Sequence, residues 1–396
     1  MALDGRATVP EGRPAEPDAR APVTPGTPEI EELFRLMVAR KASDLHVSAG
    51  SPPLLRHDGQ IEAIAGRAAL TAADTERLLL PIAPPRYRQE YAERHDTDFA
   101  YEIAGLARFR CNLFVDRKGP GGVFRVIPSK IMTAEEMALP RELLEVCHLP
   151  KGLVLITGPT GSGKSTTLCA LIDYVNRNRS DHIITIEDPL EFVHENKKCL
   201  VNQREVGGHT DSFKHALRAA LREDPDIVLV GEMRDLETVA IAIETAETGH
   251  LVFGTLHTSS APSTVDRVIN QFPADRQQQI RIMLAESLRA VVSQVLCRKI
   301  GGGRVAALEV LIATPPVCNL IREAKTFQIP SIMQAGKKFG MCMMNESLFD
   351  LVKRQVVSPE EAYTRTVDKA ALLSLYKRAG MDVSWAPKEA SAGAAT

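Results

Sequence analysis

The stretch of sequence that decides the fold is Leu153-Val-Leu-Ile-Thr-Gly-Pro-Thr-Gly-Ser-Gly-Lys-Ser-Thr166. Within it, Gly158 to Ser165 fit the pattern G-x-x-x-x-G-K-[ST]. An apolar strand pattern precedes the glycines, and a helical pattern of apolar residues follows them. In a strand, glycine-rich loop and helix in this order, the loop N–H groups surround phosphate oxygens at the helix N-terminus. The stretch therefore predicts an α/β nucleotide-binding core.

This loop supplies a predicted ATP site and a predicted Mg²⁺ ligand. We expect Lys164 to neutralise the β- and γ-phosphate oxygens and Ser165 to hold Mg²⁺ through its hydroxyl. A glycine turn with an exposed lysine is the plain alternative for this pattern. The residues predicted to bind ATP are Gly158, Pro159, Thr160, Gly161, Ser162, Gly163, Lys164, Ser165 and Thr166.

Three more apolar runs downstream alternate with helical patterns. They are Ile183–Ile186, Ile227–Val230 and Leu251–Leu256. Runs that are apolar at every position indicate strands buried on both faces, as in a parallel sheet covered by helices. Because α/β sheets bind ligands at the carboxyl ends of their strands, the residues that follow these runs are candidates for the site.

Candidate side chains follow each of the three runs. Glu232 comes after Gly231, which stands where most P-loop enzymes carry an aspartate, so Glu232 is the predicted base for the attacking water. Glu187 and Asp188 supply two carboxylates for the metal shell, and Glu187 is also a candidate for catalysis. His257 is placed to sense the γ-phosphate by a hydrogen bond. Structural alternatives stay open, because a carboxylate can cap a turn and a lone histidine is usually structural.

The residues before the loop predict a separate small α+β domain. Short strand patterns there are separated by proline and glycine turns. Alternation over 108–117 places Arg108 and Arg110 on the face opposite the apolar side chains. The predicted organisation is a disordered extension over 1–28, the small domain over 29–128, a linker over 129–150, the ATPase domain with C-terminal helices over 151–386 and a disordered tail over 387–396.

Two helices of the second domain are predicted from their apolar stripes. Ser212 is the expected N-cap of one of them. Ala274–Leu296 is predicted to be one long helix, because its apolar residues recur at helical spacing. Such stripes are typical of a core rather than of a functional site.

Composition limits the class of protein. The 396 residues include 25% charged and 44% hydrophobic side chains, with a net charge of −2, as in a soluble globular protein. A nucleic-acid-binding protein would favour a strongly basic domain, so we expect no direct nucleic-acid partner. The seven cysteines form no C-x-x-C pair, which argues against structural zinc and fits a reducing cytoplasm. No run reaches the roughly 18 apolar residues of a membrane span, so we expect membrane association only through a partner or the surface.

Three further motifs stand in order after the loop: Glu187-Asp-Pro-Leu-Glu-Phe-Val-His194, Leu221-Arg-Glu-Asp-Pro-Asp-Ile-Val-Leu-Val-Gly-Glu-Met-Arg-Asp235 and Thr248-Gly-His-Leu-Val-Phe-Gly-Thr-Leu-His257. They resemble the Asp box, the Walker B motif and the His box of the secretion ATPase superfamily. Two shorter motifs, Ser43-Asp-Leu-His-Val-Ser-Ala-Gly50 and Pro315-Pro-Val-Cys-Asn-Leu-Ile-Arg-Glu323, narrow the resemblance to its PilT-like branch, the type IV pilus retraction ATPases.

The resemblance implies a mechanical ATPase. Members of this family are hexameric rings of a PAS-like N-terminal domain and a RecA-like ATPase domain, and ATP hydrolysis moves the two domains against each other. The ring docks on an inner-membrane platform protein at the cytoplasmic face and drives pilin out of the fibre during twitching motility. Arginines of the N-terminal domain reach the γ-phosphate, and Arg108, Arg110 and Arg125 occupy the matching strands here. A solvated arginine face is the plain alternative.

Two departures from the family pattern lie in the C-terminal region. Cys318 stands where the A-I-R-N-L-I-R-E signature has its first arginine, and Gly340-Met-Cys-Met343 replaces the usual G-M-Q-T. They leave open an accessory member that forms a nucleotide-gated ring and works beside a companion retraction ATPase. A pilus assembly or type II secretion ATPase is a further alternative. Such proteins generally carry an extra N-terminal region and a tetracysteine zinc insert, and we expect neither here.

Overall fold

The computed structural model describes residues 28–57, 60–127 and 131–387. The disorder predicted for 1–28 and 387–396 concerns positions that lie outside these ranges, except for one residue of each segment. Among the helices in the described ranges, none combines the length and the apolar character that crossing a membrane requires.

The first of two compact units, up to residue 128, is a six-stranded antiparallel sheet with helices packed on it. Its elements in chain order are α1 (Ile30–Ala39), β1 (Asp44–Ser48), β2 (Leu54–His57), β3 (Gln60–Ala63), α2 (Ala72–Leu79), α3 (Pro85–Arg94), β4 (Asp96–Ile103), β5 (Ala107–Asp116) and β6 (Gly119–Ile127). The strand order is β3-β2-β1-β6-β5-β4. Phe34 of α1 stacks on Phe109 at 4.4 Å between ring centroids and meets Phe124 edge-on at 5.1 Å. All three rings are buried, so this face of the sheet forms the core of the unit.

The alternation predicted for the arginine-bearing strand is present in β5. Phe109 and Cys111 are buried, whereas Arg110 between them is exposed. Arg110 lies directly opposite Arg125 of β6, so both side chains are on the face away from the aromatic core. The sequence analysis predicts neither β4 nor α3. In α3 the reason is that the helix buries none of its residues and therefore lacks an apolar stripe.

The second unit is built on a seven-stranded sheet. Its strands are β7 (Gly152–Thr157), β8 (His182–Glu187), β9 (Leu200–Glu205), β10 (Ile227–Val230), β11 (Leu251–Leu256), β12 (Leu288–Arg298) and β13 (Arg304–Ile312). Their order is β13-β12-β7-β11-β10-β8-β9. Neighbours are parallel except β12 with β13. The four predicted apolar runs are therefore the adjacent strands β7, β11, β10 and β8, and their carboxyl ends meet at one edge.

Helices cover both faces of this sheet. Successive residues of β7 point to opposite faces, so Leu155 joins one buried cluster and Val154 the other. Ser212 caps α6 as predicted, accepting from the His215 N–H at 3.2 Å. The α-helices of the described part of this unit are α4 (Arg141–Val146), α5 (Lys164–Asn178), α6 (Phe213–Ala220), α7 (Leu236–Thr248), α8 (Ala261–Asn270), α9 (Ala274–Ser287), α10 (Pro315–Arg322), α11 (Ile329–Ala335), α12 (Met344–Lys353), α13 (Pro359–Arg365) and α14 (Lys369–Arg378).

The prediction of a single helix over Ala274–Leu296 is wrong beyond Ser287. The chain turns extended at Leu288 and continues as β12, which pairs with β7 on one side and with β13 on the other. The apolar residues of this segment fit both a helical stripe and a buried strand. The run Val291-Val292 is β-branched, and pairing along both edges of β12 decides in favour of the strand.

Part of the segment predicted to be a linker, residues 129–150, packs with the second unit. It contains α4, whose Leu143 and Val146 are buried in the same cluster as Val154 of the central strand. A helix of six residues offers too few turns for its periodicity to be recognised in the sequence.

Candidate active site

The loop between β7 and α5 has the backbone conformation that its glycines predict. Gly158, Gly161 and Gly163 have φ of 142°, 77° and 89°, which L side chains rarely adopt. A Cβ on Gly158 would lie 2.4 Å from the carbonyl oxygen of Gln294. At Gly161, no described atom lies within 4 Å of the corresponding position. The loop therefore packs against β12 at Gly158 and faces open space at Gly161.

The helix α5 starts directly after this loop. Its first intrahelical hydrogen bond runs from the Thr167 N–H to the Gly163 carbonyl at 3.0 Å. N–H groups of a first turn have no partner inside the helix, and together with the helix dipole they favour an anion. Ser165 lies in this turn and is half-buried, where its hydroxyl can serve a phosphate-bound cation. The loop and first turn together fit a nucleotide phosphate.

Lys164 is half-buried and points back at its own loop. Its Nζ donates to the Gly158 carbonyl at 2.9 Å and to the Pro159 carbonyl at 3.2 Å. Burial lowers the pKa of the Lys164 ammonium, and the negative charges of Glu232 and Glu191 act against that shift. Phosphate oxygens are stronger acceptors than neutral carbonyls, so a bound nucleotide would draw the ammonium toward itself.

Gln294 is a site residue that the sequence analysis missed. Its Nε2 donates to the Ser162 carbonyl at 2.6 Å, and its Oε1 accepts from the Thr167 hydroxyl at 2.9 Å. It lies on β12, in the segment predicted to be helix, and so no loop contact was expected of it. The available signal is a polar residue inside the apolar, β-branched run Ala290–Cys297.

Glu232 and His257 meet just beyond the carboxyl ends of β10 and β11. His257 Nε2 lies 2.6 Å from Glu232 Oε1, and Arg234 Nε lies 2.5 Å from the same oxygen. Burial opposes ionisation of this carboxyl, but the hydrogen bonds from Arg234 and His257 outweigh it and lower the pKa of Glu232. Glu232 is thus ionised at neutral pH and can accept a proton. The sequence analysis did not predict the contact with Arg234.

These side chains line an open cavity of about 570 Å³ in the second unit. Thr160 brings the tip of the loop to the same cavity. Gln271 also lines it, and its Oε1 is buried without a hydrogen-bond partner among the described residues. The structure thus brings the predicted loop, base and histidine around one space.

Glu187 and Asp188 are placed differently from each other. Asp188 is exposed, whereas Glu187 is buried and accepts from the Thr185 hydroxyl at 2.7 Å and from Gln203 Nε2 at 3.2 Å. Burial raises the pKa of Glu187 to about 7 in spite of these hydrogen bonds. The described ranges contain no cluster of three or more His, Cys, Asp or Glu that could hold a metal. The metal roles of Ser165, Glu187 and Asp188 stay predictions.

The three arginines predicted to reach the γ-phosphate lie in the first unit. Arg125 Nε is 2.7 Å from Oδ1 of the buried Asp44. Arg108 and Arg110 each have a carboxylate oxygen of β4 at 3.8 Å. Their action on a nucleotide stays a prediction.

Residues 104–369 match the model of the Type II/IV secretion system protein family. The match includes the glycine-rich loop, Glu187, Glu232 and His257. Since it covers more than half of the sequence, the chain belongs to that family.

Individual relatives narrow the class further. The Type IV pilus retractation ATPase PilT of Pseudomonas aeruginosa is 53% identical over 334 residues, which are 84% of this chain and 97% of that protein. The twitching motility protein of Neisseria gonorrhoeae is 48% identical, over 87% of this chain and 92% of that protein. The type IV pilus ATPase PilU of P. aeruginosa is 39% identical, over 89% and 92%. The crystal structure of the pilus retraction motor PilT with bound ADP superimposes with a TM-score of 0.83 at 46% identity, over 87% of this chain and 99% of that one.

These similarities confirm the predicted class. The chain is an ATPase of the PilT-like branch, with a RecA-like α/β ATPase domain preceded by a small PAS-like α+β domain.

Proposed function

We propose that the chain is the motor of type IV pilus retraction. It would work as a homo-hexamer at the cytoplasmic face of the inner membrane, where it removes pilin from the fibre at a platform protein. It would work together with a companion retraction ATPase and would not bind nucleic acid directly. The observation that supports ATP hydrolysis is the Glu232–His257 pair, joined at 2.6 Å in a cavity that Thr160 of the P-loop also lines. The similarity to the pilus retraction ATPases supports the role in retraction.

In the proposed reaction, Glu232 accepts a proton from the water that attacks the γ-phosphorus of ATP. A bond forms between the water oxygen and phosphorus, and the bond from phosphorus to the bridging oxygen of ADP breaks. Lys164 exchanges its loop carbonyls for phosphate oxygens and neutralises the charge that grows on them. His257 holds the carboxylate of Glu232 in place.

Ser165 is the proposed protein ligand of Mg²⁺, which neutralises phosphate charge when bound. Glu187 and Asp188 are its proposed carboxylate neighbours at the end of β8. A carboxyl with a pKa of about 7 loses its proton readily when a cation comes near. Glu187 would therefore be about half protonated at neutral pH in the empty site and ionised in the loaded one.

We further propose that an arginine of the first unit completes the site of a neighbouring subunit. Arg110 is the best candidate, because its side chain is 50% exposed and its carboxylate partner is 3.8 Å away. Arg125 would first have to leave the buried Asp44 at 2.7 Å. Arg108 is 18% exposed and so has less access to a partner chain.

Mixing two inactive variants tests the ring ATPase. Glu232→Gln lacks the base, and Arg110→Ala lacks the finger. If the arginine acts on a neighbour, about one interface in four of a randomly mixed ring has both groups intact, so ATP turnover returns. Mixed samples as inactive as their components would contradict action between subunits. A wild-type chain without MgATP turnover would contradict the proposed function itself.

A second candidate function, an accessory ring that gates a partner ATPase, is favoured by the side chain at position 318. Cys318 Sγ donates weakly to the Ala313 carbonyl at 3.6 Å, where an arginine offers several charge-assisted hydrogen bonds. Under this alternative the wild-type chain binds ATP but hardly hydrolyses it. If the chain instead keeps full ATPase activity and Cys318 only weakens its coupling to retraction, Cys318→Arg should increase retraction in cells without raising ATP turnover in solution.

A further inference from the structure

We infer that Gln294 holds the P-loop in its phosphate-binding shape and thereby sets nucleotide affinity rather than the rate of the chemical step. Gln294 lies on β12, outside the motifs that define the site. The inference rests on the proposed function, since it concerns the positioning of ATP at that same loop.

Both ends of the Gln294 amide are used, and both contacts are shielded from water. Gln294 is 1% exposed, Ser162 is 3% exposed and Thr167 is fully buried. A side-chain amide offers a donor and an acceptor next to each other. Here the donor holds the loop carbonyl of Ser162 at 2.6 Å, and the acceptor holds the first turn of α5 through Thr167 at 2.9 Å. One group therefore fixes the position of the loop relative to the helix.

The glycines of the loop bring its backbone against the same residue. A Cβ on Gly158 would lie 2.4 Å from the Gln294 carbonyl oxygen, and one on Gly163 would lie 3.1 Å from Gln294 Nε2. The first approach is to backbone, which cannot move aside as a flexible side chain would. The need for glycine at these positions therefore comes from β12 as well as from the backbone dihedrals.

A second contact ties β12 to the base of the loop. The Ser293 hydroxyl lies 2.7 Å from that of Thr157, the residue directly before the loop. The Thr157 hydroxyl in turn lies 3.5 Å from that of Thr264. Thr264 reaches the hydroxyl of Thr258, the neighbour of His257, at 2.6 Å. A chain of hydroxyls thus connects the strand that carries Gln294 with the strand end that carries the histidine.

Gln294 and Lys164 hold different carbonyls of the loop. Lys164 donates to Gly158 and Pro159, and it must leave them to neutralise a phosphate. Gln294 donates to Ser162 and has no reason to leave when the nucleotide arrives. Removing Gln294 should release the loop before binding, and leave the water and its base untouched.

Gln294→Met keeps the side-chain length and removes both hydrogen bonds. We expect a fluorescent ADP analogue and ATP to bind roughly 10- to 100-fold more weakly to the full-length chain, because two buried hydrogen bonds are lost and a carbonyl is left unpaired. The KM for ATP should rise similarly, while kcat at saturating ATP stays within about threefold. Thr167→Val removes one of the two bonds and should weaken binding by a smaller factor.

Val291→Ala is the matched control, because it is buried on the same strand but faces the other side of the sheet. It should lower the melting temperature and leave the Kd unchanged. Unchanged affinity in Gln294→Met, or an equal loss in Val291→Ala, would overturn the inference. If Gln294→Met does not fold, Thr167→Val decides in the same way. A wild-type chain that binds no nucleotide would instead overturn the proposed function, so the two failures are distinguishable.

Discussion

Glu232 and Glu187 stand at the ends of neighbouring parallel strands, β10 and β8, yet the pKa values of their carboxyls shift in opposite directions. Burial opposes ionisation of both. Glu232 receives hydrogen bonds from Arg234 and His257, which outweigh burial and lower its pKa. Glu187 receives hydrogen bonds from neutral groups such as the Thr185 hydroxyl, and burial raises its pKa to about 7. The strand end determines where each carboxylate lies. The groups that donate hydrogen bonds to the carboxylate determine how its pKa responds to burial.

Gly231 explains why the base comes one residue later than the usual aspartate. A Cβ at this position would lie 3.1 Å from the Ile186 carbonyl oxygen and 3.2 Å from Glu187 Cα. Such contacts are tighter than most Cβ contacts, so the backbone of β8 would have to give way by a few tenths of an ångström. The strand that carries Glu187 therefore leaves little room for a side chain at position 231, and Glu232 is the first carboxylate after β10.

Glu232→Gln should have the largest effect, because it removes the ionised member of the pair. We expect ATP turnover to fall by about 10²- to 10⁴-fold, while MgATP still binds, since a base contributes to the chemical step alone. Glu244→Gln, an exposed position on α7, is the control and should be neutral. Near-normal turnover in Glu232→Gln would show that Glu232 is not the base.

Glu187→Gln should remove a pH dependence of stability. The pKa of Glu187 is about 7 in the folded chain and about 4.3 in an unfolded one, so folding takes up a proton between these values. Its contribution is complete below the unfolded pKa and is lost as pH rises through 7, by roughly 4 kcal/mol.

Thermal unfolding without nucleotide, measured between about pH 5 and 8, tests this. The difference in melting temperature, Glu187→Gln minus wild type, should increase by several degrees as pH rises. His194, whose pKa burial lowers to about 4, titrates in both proteins and cancels in the difference. A difference that stays constant with pH would contradict a raised pKa of Glu187 in the folded chain.

Glu309 extends the comparison to a third buried carboxylate with a structural task. Its two oxygens accept from the Ala261 N–H at 2.7 Å and the Met344 N–H at 3.2 Å, so it caps α8 and α12 at once. Glu309→Gln leaves one helix N–H facing an amide NH₂, which should cost about 1–2 kcal/mol of stability without changing ATP turnover. Urea unfolding and an ATPase assay on the same sample check both. A tenfold loss of turnover would mean that Glu309 also serves the active site.

Arg234→Ala should have the smallest effect, because its ion pair with Glu232 is exposed on the arginine side. Losing this partner raises the pKa of Glu232, so less of the base is ionised on the acid side. At pH 7 Glu232 stays ionised, and because one donor that positions its carboxylate is lost, we expect turnover there to fall only about twofold. The acid limb of the kcat/KM profile should move to higher pH, and Arg234→Lys should move it less. If the acid limb does not move in Arg234→Ala, the group whose titration limits catalysis is not Glu232.

The part of the site that lies on strand ends could be predicted from the sequence. The P-loop pattern and the apolar runs before Glu187, Glu232 and His257 are local signals, and parallel pairing brings their ends together. The fold class follows from the same runs, since strands buried on both faces need helices on each side.

The contacts that tune the site could not be predicted in this way. Gln294 lies on a strand whose apolar spacing also fits a helix, so only pairing with β7 and β13 identifies it. The pairing of Arg234 with Glu232, and the burial that raises the pKa of Glu187, depend on distances across the fold. Local periodicity contains no information about them.

Pilus retraction in living cells tests the central claim most directly. The measurement is fluorescence imaging of labelled pili in a strain that lacks this chain and is complemented with the wild type or with Glu232→Gln. We expect the strain lacking the chain to carry excess surface pili, the wild type to restore retraction and twitching, and Glu232→Gln to restore neither. Bald cells in the strain lacking the chain would point to an assembly motor, and full retraction with Glu232→Gln would contradict a motor driven by hydrolysis at this site.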